Sequence, residues 1–386
     1  MSMASNYQSI IFFSKDYGGV LAFLPIIKKI QEDDKLLNVV VIAHESSYEL
    51  YKKKDIKVIV IPSYLNQNKI GQFLDKIIDI NKPKIIVTGT SRKGKNEIRT
   101  LEQILIKKAR NTDIKTISIL DFWGFYEERF PCKNGQVIHD YIPDVICCLD
   151  EKCKEDLLAL GVPHANLKIT HNPHIDSVNT SVKKIHKNVN EFNVLYVSQP
   201  IREQDLTGSL GFDQESNFTQ LLNTFVKGSR WFNKHINIYL WVHPKESIIP
   251  WESIVNEKNK EFVKMGRSIK MIYDENKSYD LFNKLDLACS YYSSVLYDAL
   301  YFRIPCLSLG IGSKVDISSL LVTNKLGLTQ VILSEKDLNK YINESDFKVL
   351  IEKLNKKILN YSKKKIFFSD GSATKKIIKI INNIQK

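Results

Sequence analysis

Short runs of β-branched and aromatic residues recur along the chain, each followed by a longer stretch in which apolar side chains return with a helical period. Runs that are apolar throughout read as strands buried on both faces, and the amphipathic stretches between them as crossover helices, so the pattern predicts parallel βαβ units. The predicted strands of the first half are Ile10–Ser14, Asn38–Ala43, Lys57–Ile61, Lys84–Thr88, Lys115–Leu120 and Asp144–Leu149. From Pro143 to Asp176 the sequence adds a helix, a Gly161-Val162-Pro163 turn, a short strand and an Asn-Pro stop. A second series then begins, with strands at Asn193–Ser198, Asn237–Val242, Ile269–Tyr273, Asp286–Ser290 and Pro305–Leu309 and helices at Asn217–Asn233 and Ser294–Phe302.

Between the two series, Ser177 to Glu191 is polar and rich in Lys and Asn, as expected of a linker. A chain of 386 residues also exceeds the size at which one hydrophobic core stops growing. The expected organisation is a first domain over residues 1–176, a linker over 177–191, a second domain over 192–370 and a closing helix over 371–386. That last helix has Ser369, Asp370 and Ser372 as capping residues and Ile377, Ile381 and Ile384 on one face. The fold class is α/β, two Rossmann-like doubly wound domains facing across a cleft.

Composition adds little to this except through charge. Apolar residues at 43% can fill two cores, and neither an internal repeat nor a low-complexity tract is present. No apolar run approaches the roughly 20 residues of a membrane-spanning helix, and Met1 to Gln8 lack the pattern of a leader, so a cytoplasmic protein is expected. Six cysteines at 132, 147, 148, 153, 289 and 306 read as reduced core thiols; Cys147, Cys148 and Cys153 lack a second ligand pair at zinc-ribbon spacing, and no metal is expected. The net charge of +13 favours an anionic partner: an acidic glycan or lipid-linked acceptor, a nucleotide-bearing donor, or an anionic membrane met peripherally at its inner face. With no zinc finger, basic zipper or RNP-type motif, nucleic acid is not expected.

Parallel sheets bind ligands beyond their strand carboxyl ends. In the second series three polar clusters lie there: Ser198-Gln199-Pro200, His243-Pro244-Lys245-Glu246, and Tyr292-Ser293-Ser294 at a helix start. Hydroxyls and free backbone N–H groups at a helix start suit a phosphate, His243 can donate to a phosphate or leaving oxygen, and Pro244 ends its strand. In the first series Gly18 and Gly19 follow the first strand and let backbone approach a ligand, while Ser91, Arg92, Lys95 and Arg129 supply polar and cationic contacts for an anionic acceptor.

The order of QP, HP and a later SS opening a helix resembles bacterial glycosyltransferases of the GT-B fold that use CMP-activated acids, the sialyl-, polysialyl- and Kdo transferases. The string YYSSVLYDALYFRIPCLSL is also similar to CDP-glycerol glycerophosphotransferases and to UDP-sugar enzymes including 2-epimerases. The resemblance implies that His243-Pro244 contacts the nucleotide phosphate and Ser293-Ser294 holds it. It implies a nucleotide-activated sugar as substrate with no bound cofactor, and inverting, metal-independent transfer to a capsule or lipopolysaccharide hydroxyl. The family's acidic motif, (D/E)(D/E)G with its second acid as general base, falls on Leu120-Asp121-Phe122-Trp123-Gly124, where Phe122 replaces that acid. Asp121 is then the expected base and Glu127 the reserve, with His44 and Asp16 further candidates at the same sheet edge.

Two rival classes follow from the same residues. Gly89 to Asn96 nearly matches the phosphate loop GxxxxGK(S/T) of a nucleoside-triphosphatase or kinase, but Asn96 stands where the magnesium-binding Ser or Thr belongs and the loop follows the fourth strand. A non-catalytic glycan- or nucleotide-binding module would bind nucleotide without consuming a donor.

Overall fold

The computed structural model describes residues 8–33, 37–62, 64–93, 97–110, 112–178, 188, 190–228, 231, 233–243, 245–275, 277–343, 346–367 and 369–385. The chain divides into two compact units, Met1–Asn179 with Phe368–Lys386, and Thr180–Phe367.

The first unit contains β1 (Ser9–Ser14), β2 (Asn38–Ala43), β3 (Ile59–Val60), β4 (Pro83–Thr88), β5 (Lys115–Ile119), β6 (Cys132–Lys133), β7 (Gln136–Val137), β8 (Val145–Cys148) and β9 (Leu167–Ile169). Apart from the antiparallel hairpin of β6 and β7, these strands pair in parallel in the order β3-β2-β1-β4-β5-β8-β9. The continuous apolar run of β1 is explained by its position: Ile10 and Phe12 pack under helices Tyr17–Asp33 and Ala373–Gln385, while Ile11 and Phe13 pack on the opposite face under Gln67–Asn81 and Leu101–Ala109. Strand β3 is shorter than its sequence suggests, because at the sheet edge it has partners only in β2, at Ile42 and Ala43.

The second unit contains β10 (Glu191–Val197), β11 (His235–Trp241), β12 (Ile269–Tyr273), β13 (Leu287–Ser290), β14 (Cys306–Leu309) and β15 (Thr329–Ile332), all parallel, in the order β12-β11-β10-β13-β14-β15. Its core centres on Val194 and Tyr196, with Phe218 and the fully buried Trp251 in edge contact, ring centroids 5.6 Å apart. Strand β15 has no counterpart among the predicted strands, since its sequence TQVI is too short and half-polar to stand out. The helix expected at Asn217–Asn233 runs instead from Gln214 to Lys227. Asp213 and Ser216 form a capping box at its start. At its end Gly228 is extended, and a Cβ there would lie 2.0 Å from Asn343 Oδ1, so a larger residue would displace that side chain. The helix predicted from Ser294 begins at Val295.

The closing helix, Ala373–Gln385, belongs to the first unit, where Ile377 and Ile381 are fully buried beside helix Tyr17–Asp33. Asp176 secures its start: one carboxylate oxygen accepts the Thr374 N–H at 3.0 Å and the other the Ser369 hydroxyl at 2.7 Å. Asp176→Ala should therefore destabilise the first unit by about 1–2 kcal/mol, and Ile377→Ala by about 2–5 kcal/mol. Both are readable as shifts of a urea midpoint, and an unchanged midpoint for Ile377→Ala would mean that the helix is not docked.

Candidate functional site

A sheet whose strand order reverses leaves a crevice at its carboxyl edge at the reversal. In the second unit that point lies between β10 and β13. Ser198 follows β10, His243 follows β11, and Tyr292, Ser293 and Ser294 follow β13. Two of the expected ligand contacts turn out to be bonded to each other. The buried Ser198 hydroxyl donates to Glu246 Oε1 at 2.6 Å, and Glu246 Oε2 accepts the His243 backbone N–H at 3.0 Å, so this carboxylate ties the end of β10 to the turn after β11. Glu246 in turn donates its N–H to the His243 carbonyl at 2.9 Å. Burial, the largest influence on it, pushes the Glu246 carboxyl above its ordinary range.

The imidazole of His243 is oriented by its own turn. Its Nδ1 accepts the Lys245 backbone N–H at 3.1 Å, which leaves the proton of the neutral ring on Nε2. Burial first, then the charges of Lys245 and Lys277, depress its pKa to about 4. At neutral pH His243 is therefore an uncharged donor of fixed tautomer.

The serine pair divides in two. Ser293 is buried and its Oγ accepts the Val295 N–H at 3.2 Å, whereas Ser294 is exposed and makes no side-chain capping bond. Gln199 and Pro200 are buried, Pro200 preceding the short helix Ile201–Gln204, and Lys245 is exposed. Pro244 lies outside the described residues.

In the first unit the order reverses between β1 and β4. Close backbone approach is built in there: a Cβ on Gly19 would lie 2.2 Å from Ser14 Oγ, and one on Gly18 would lie 2.0 Å from Asp121 Oδ2. The first turn of helix Tyr17–Asp33 thus rests on the Asp121 carboxylate. Asp121 Oδ1 accepts Arg129 Nη1 at 3.0 Å, and the same Nη1 donates to Thr90 Oγ1 at 2.7 Å. The Arg129 side chain is 5% exposed and that of Asp121 16%. Asn172 Nδ2 adds a bond to the Asp121 carbonyl at 3.3 Å.

Around this pair the loops are fastened from beneath by Glu102, in the first turn of helix Leu101–Ala109, which accepts the Lys15 N–H at 2.9 Å and the Ser91 hydroxyl. Sequence reading passed over Glu102, because an acid just after an N-cap threonine reads as ordinary helix-start chemistry. Lys15 pairs with Glu97. Arg92 pairs with Glu128 at 2.8 Å and lies over the Phe125 ring at 3.7 Å, with Phe125 stacked on Phe122. Glu127 is exposed, and its charge is felt by the Cys132 thiol. His44 caps helix Glu45–Lys52 through Nδ1. Lys95 lies outside the described residues.

Of the stretch resembling a phosphate loop, Gly94, Lys95 and Asn96 lie outside the described residues; among the described ones, helix Leu101–Ala109 starts behind its own Thr100-Gln103 capping box, and the Ser91 hydroxyl donates to Glu102. The six cysteines are free, all but Cys132 buried, and burial pushes the Cys147 thiol up to about 12. Among the described residues no group of three or more His, Cys, Asp or Glu side chains is arranged to hold a metal ion, and no helix is long and apolar enough to cross a membrane.

No family model and no curated protein matches the sequence. Solved structures do match in shape over nearly the whole chain. A UDP-GlcNAc 2-epimerase from Neisseria meningitidis bound to UDP-GlcNAc aligns with 97% of this chain and 100% of its own at TM-score 0.63 and 13% identity. The UDP-GlcNAc 2-epimerase of Methanocaldococcus jannaschii aligns with 97% of this chain and 99% of its own at 0.61 and 14%. A glycosyltransferase from Rickettsia africae aligns with 99% of both chains at 0.55 and 12%. At such identities the likeness is one of fold: two doubly wound parallel-sheet domains of the GT-B type.

Proposed function

We propose that the chain is an enzyme acting on a nucleotide-activated sugar, and that it transfers the sugar to a hydroxyl of an anionic glycan or lipid-linked acceptor. The observation that carries the reading is His243, an uncharged imidazole with Nδ1 occupied by backbone, at the carboxyl edge of a sheet whose fold is shared with proteins that bind UDP-GlcNAc. Its Nε2–H is a donor that keeps its charge state through the neutral range, and the exposed Ser294 hydroxyl and Lys245 ammonium follow strands of the same sheet. Donors fixed in advance stabilise negative charge on a departing nucleotide phosphate without reorganising as the bond breaks. Ser198 and Glu246 serve this site indirectly, by holding the His243 turn.

On the edge of the first sheet, Asp121 with Arg129, and Arg92 with Glu128 and Phe125, are the polar groups that an acidic acceptor would meet on that unit. An inverting displacement with a CMP-linked acidic sugar is the form suggested by the HP and SS motifs. The likeness to UDP-GlcNAc 2-epimerases favours a second reading, in which a UDP-sugar is remodelled with no acceptor. Incubation of the protein with UDP-N-acetylglucosamine alone, and of a CMP-activated acidic sugar with and without an oligosaccharide acceptor, separates the two.

Removing a hydrogen bond to a charged phosphate costs about 1.5–3 kcal/mol, so His243→Ala and the double change Ser293→Ala, Ser294→Ala should each weaken nucleotide binding roughly ten- to a hundredfold. Calorimetric titration of CMP and UDP measures this, and unaltered affinity would remove those residues from the site. In the free protein the His243 ring should not titrate between pH 5.5 and 8, as followed by imidazole NMR. Because its folded pKa lies below the unfolded value, its contribution to stability is present above the unfolded pKa and is lost as pH falls towards 4. Turnover should persist in EDTA, the fixed donors serving the leaving phosphate; a strict magnesium requirement would return the phosphate-loop class to consideration.

A further inference from the structure

Beside helix Leu101–Ala109 the first unit carries a pocket that shares no residue with either sheet edge described above. Its volume of about 400 Å³ lies within the range of small-ligand sites, and it is lined by Arg99, Ile104, Lys107, Lys108 and Tyr141. Arg99 stands in the loop before the helix, where the Gln67 side-chain amide donates to its carbonyl at 2.8 Å and its own Nη1 donates to the Ile98 carbonyl at 2.8 Å. Tyr141 ends the single 3-10 turn His139–Tyr141, which packs against the helix. Its ring gathers positive charge. The Arg99 guanidinium lies 4.8 Å from the ring centroid, and the Lys107 ammonium lies 5.2 Å from it and 3.5 Å from the phenol oxygen. The third cation, Lys108, is neutralised by Asp75 at 2.6 Å, whereas among the described residues Arg99 and Lys107 have no carboxylate partner. Burial alone would raise the Tyr141 phenol, but the hydrogen bonding and charge of Arg99 and Lys107 outweigh it and draw the phenol below its ordinary range.

Two cations without a counter-ion, converging on one aromatic ring inside a pocket, suit an anion that also has an apolar side. Resting on the reading above that the acceptor is anionic, we propose that this pocket binds a carboxylated sugar of an acidic glycan. The planar fork of Arg99 matches a carboxylate, Lys107 adds a second charge, and the Tyr141 ring with Ile104 covers the apolar face of the sugar. Phosphates held at a helix start are met by free backbone N–H groups. Here the helix start is already closed: the Thr100 N–H donates to the Gln103 side chain at 3.2 Å, and the Gln103 N–H to the Thr100 hydroxyl at 3.2 Å. The anion is therefore met by side chains, and the pocket is a binding subsite in which no bond is made or broken.

Calorimetric titration of the full chain with an oligomer of sialic acid, beside a neutral oligosaccharide of equal length and inorganic phosphate, tests this without any turnover. The acidic oligomer should bind and the neutral one should not. Arg99→Gln and Lys107→Gln should each weaken its binding by about three- to tenfold, the scale of one partly exposed charge-assisted contact, with CMP and UDP affinity and the urea midpoint unchanged. Lys28→Gln removes an equal charge from the exposed side of helix Tyr17–Asp33 and should leave the affinity for the oligomer as it was, which separates a pocket from the general attraction of a basic protein. No binding by the parent, equal affinity in the Arg99→Gln, Lys107→Gln double variant, or as large a loss in Lys28→Gln overturns the pocket as the site. Tighter binding of inorganic phosphate than of the oligomer, lost in the same double variant, overturns a carboxylated sugar as its occupant. A parent that binds the oligomer through this pocket yet consumes neither a CMP-activated acidic sugar nor a UDP-sugar overturns the transfer reading and leaves the pocket standing.

Discussion

A strand buried on both faces has no room for a charged side chain anywhere along its length, and that exclusion decides where chemistry can occur in this molecule. Strand β1 shows it directly: Ile10, Ile11, Phe12 and Phe13 are wholly buried, and the first ionisable groups, Lys15 and Asp16, appear only once the strand has ended. In the second unit β10 is buried from Phe192 to Val197, and Ser198 follows it; β11 begins with an exposed His235 and is buried at its end, where His243 follows. Parallel pairing then gathers these strand ends on one edge, so residues far apart in sequence meet without any of them lying in a strand. At that edge the backbone must come close, and Gly18 and Gly19 permit helix Tyr17–Asp33 to rest on Asp121 and Ser14.

Much of this was legible in the sequence because burial on both faces writes a strong signal. The strands flanking each reversal were found nearly to the residue. The weak elements were those with a weaker burial requirement: β15, whose two middle residues are only partly buried, the hairpin of β6 and β7, and the ends of β3. The positions of the polar clusters were also readable, since they follow strands. Their internal bonding was not. Ser198 and Glu246 look like two ligand contacts in sequence, but whether a hydroxyl and a carboxylate face a substrate or each other depends on how two strand ends are staggered. Likewise the pairing of Asp121 with Arg129, and the anchoring of two loops by Glu102, depend on turns whose geometry the hydrophobic pattern does not encode. Gly124 and Phe125, both with positive φ, make the turn that carries Arg129 back over Asp121.

The two sheets also differ in how their polar residues are held. In the second unit a single carboxylate, that of Glu246, bonds one side chain and one backbone amide, and the adjacent imidazole is oriented by a backbone amide of its own turn. Such a site changes little with pH near neutrality, because its histidine is already uncharged. In the first unit several ionisable groups crowd the edge: burial and then the charge of Asp121 raise the proton affinity of Asp16, and burial and then the charge of Asp16 raise that of Glu102.

The helix held by Asp176 means that the first unit is assembled from two lengths of chain with the whole second unit threaded between them. On a ribosome, strands β1 to β9 emerge early, but Ile377 and Ile381, which cover part of the face formed by Ile10, Phe12 and helix Tyr17–Asp33, emerge only after residues 180–367. That apolar face stays unsealed throughout the synthesis of the second unit, which by contrast is continuous in sequence and can close its core as soon as it has left the tunnel. Order of completion is thus the reverse of order of synthesis: the core begun first closes last, when Ile377 and Ile381 dock.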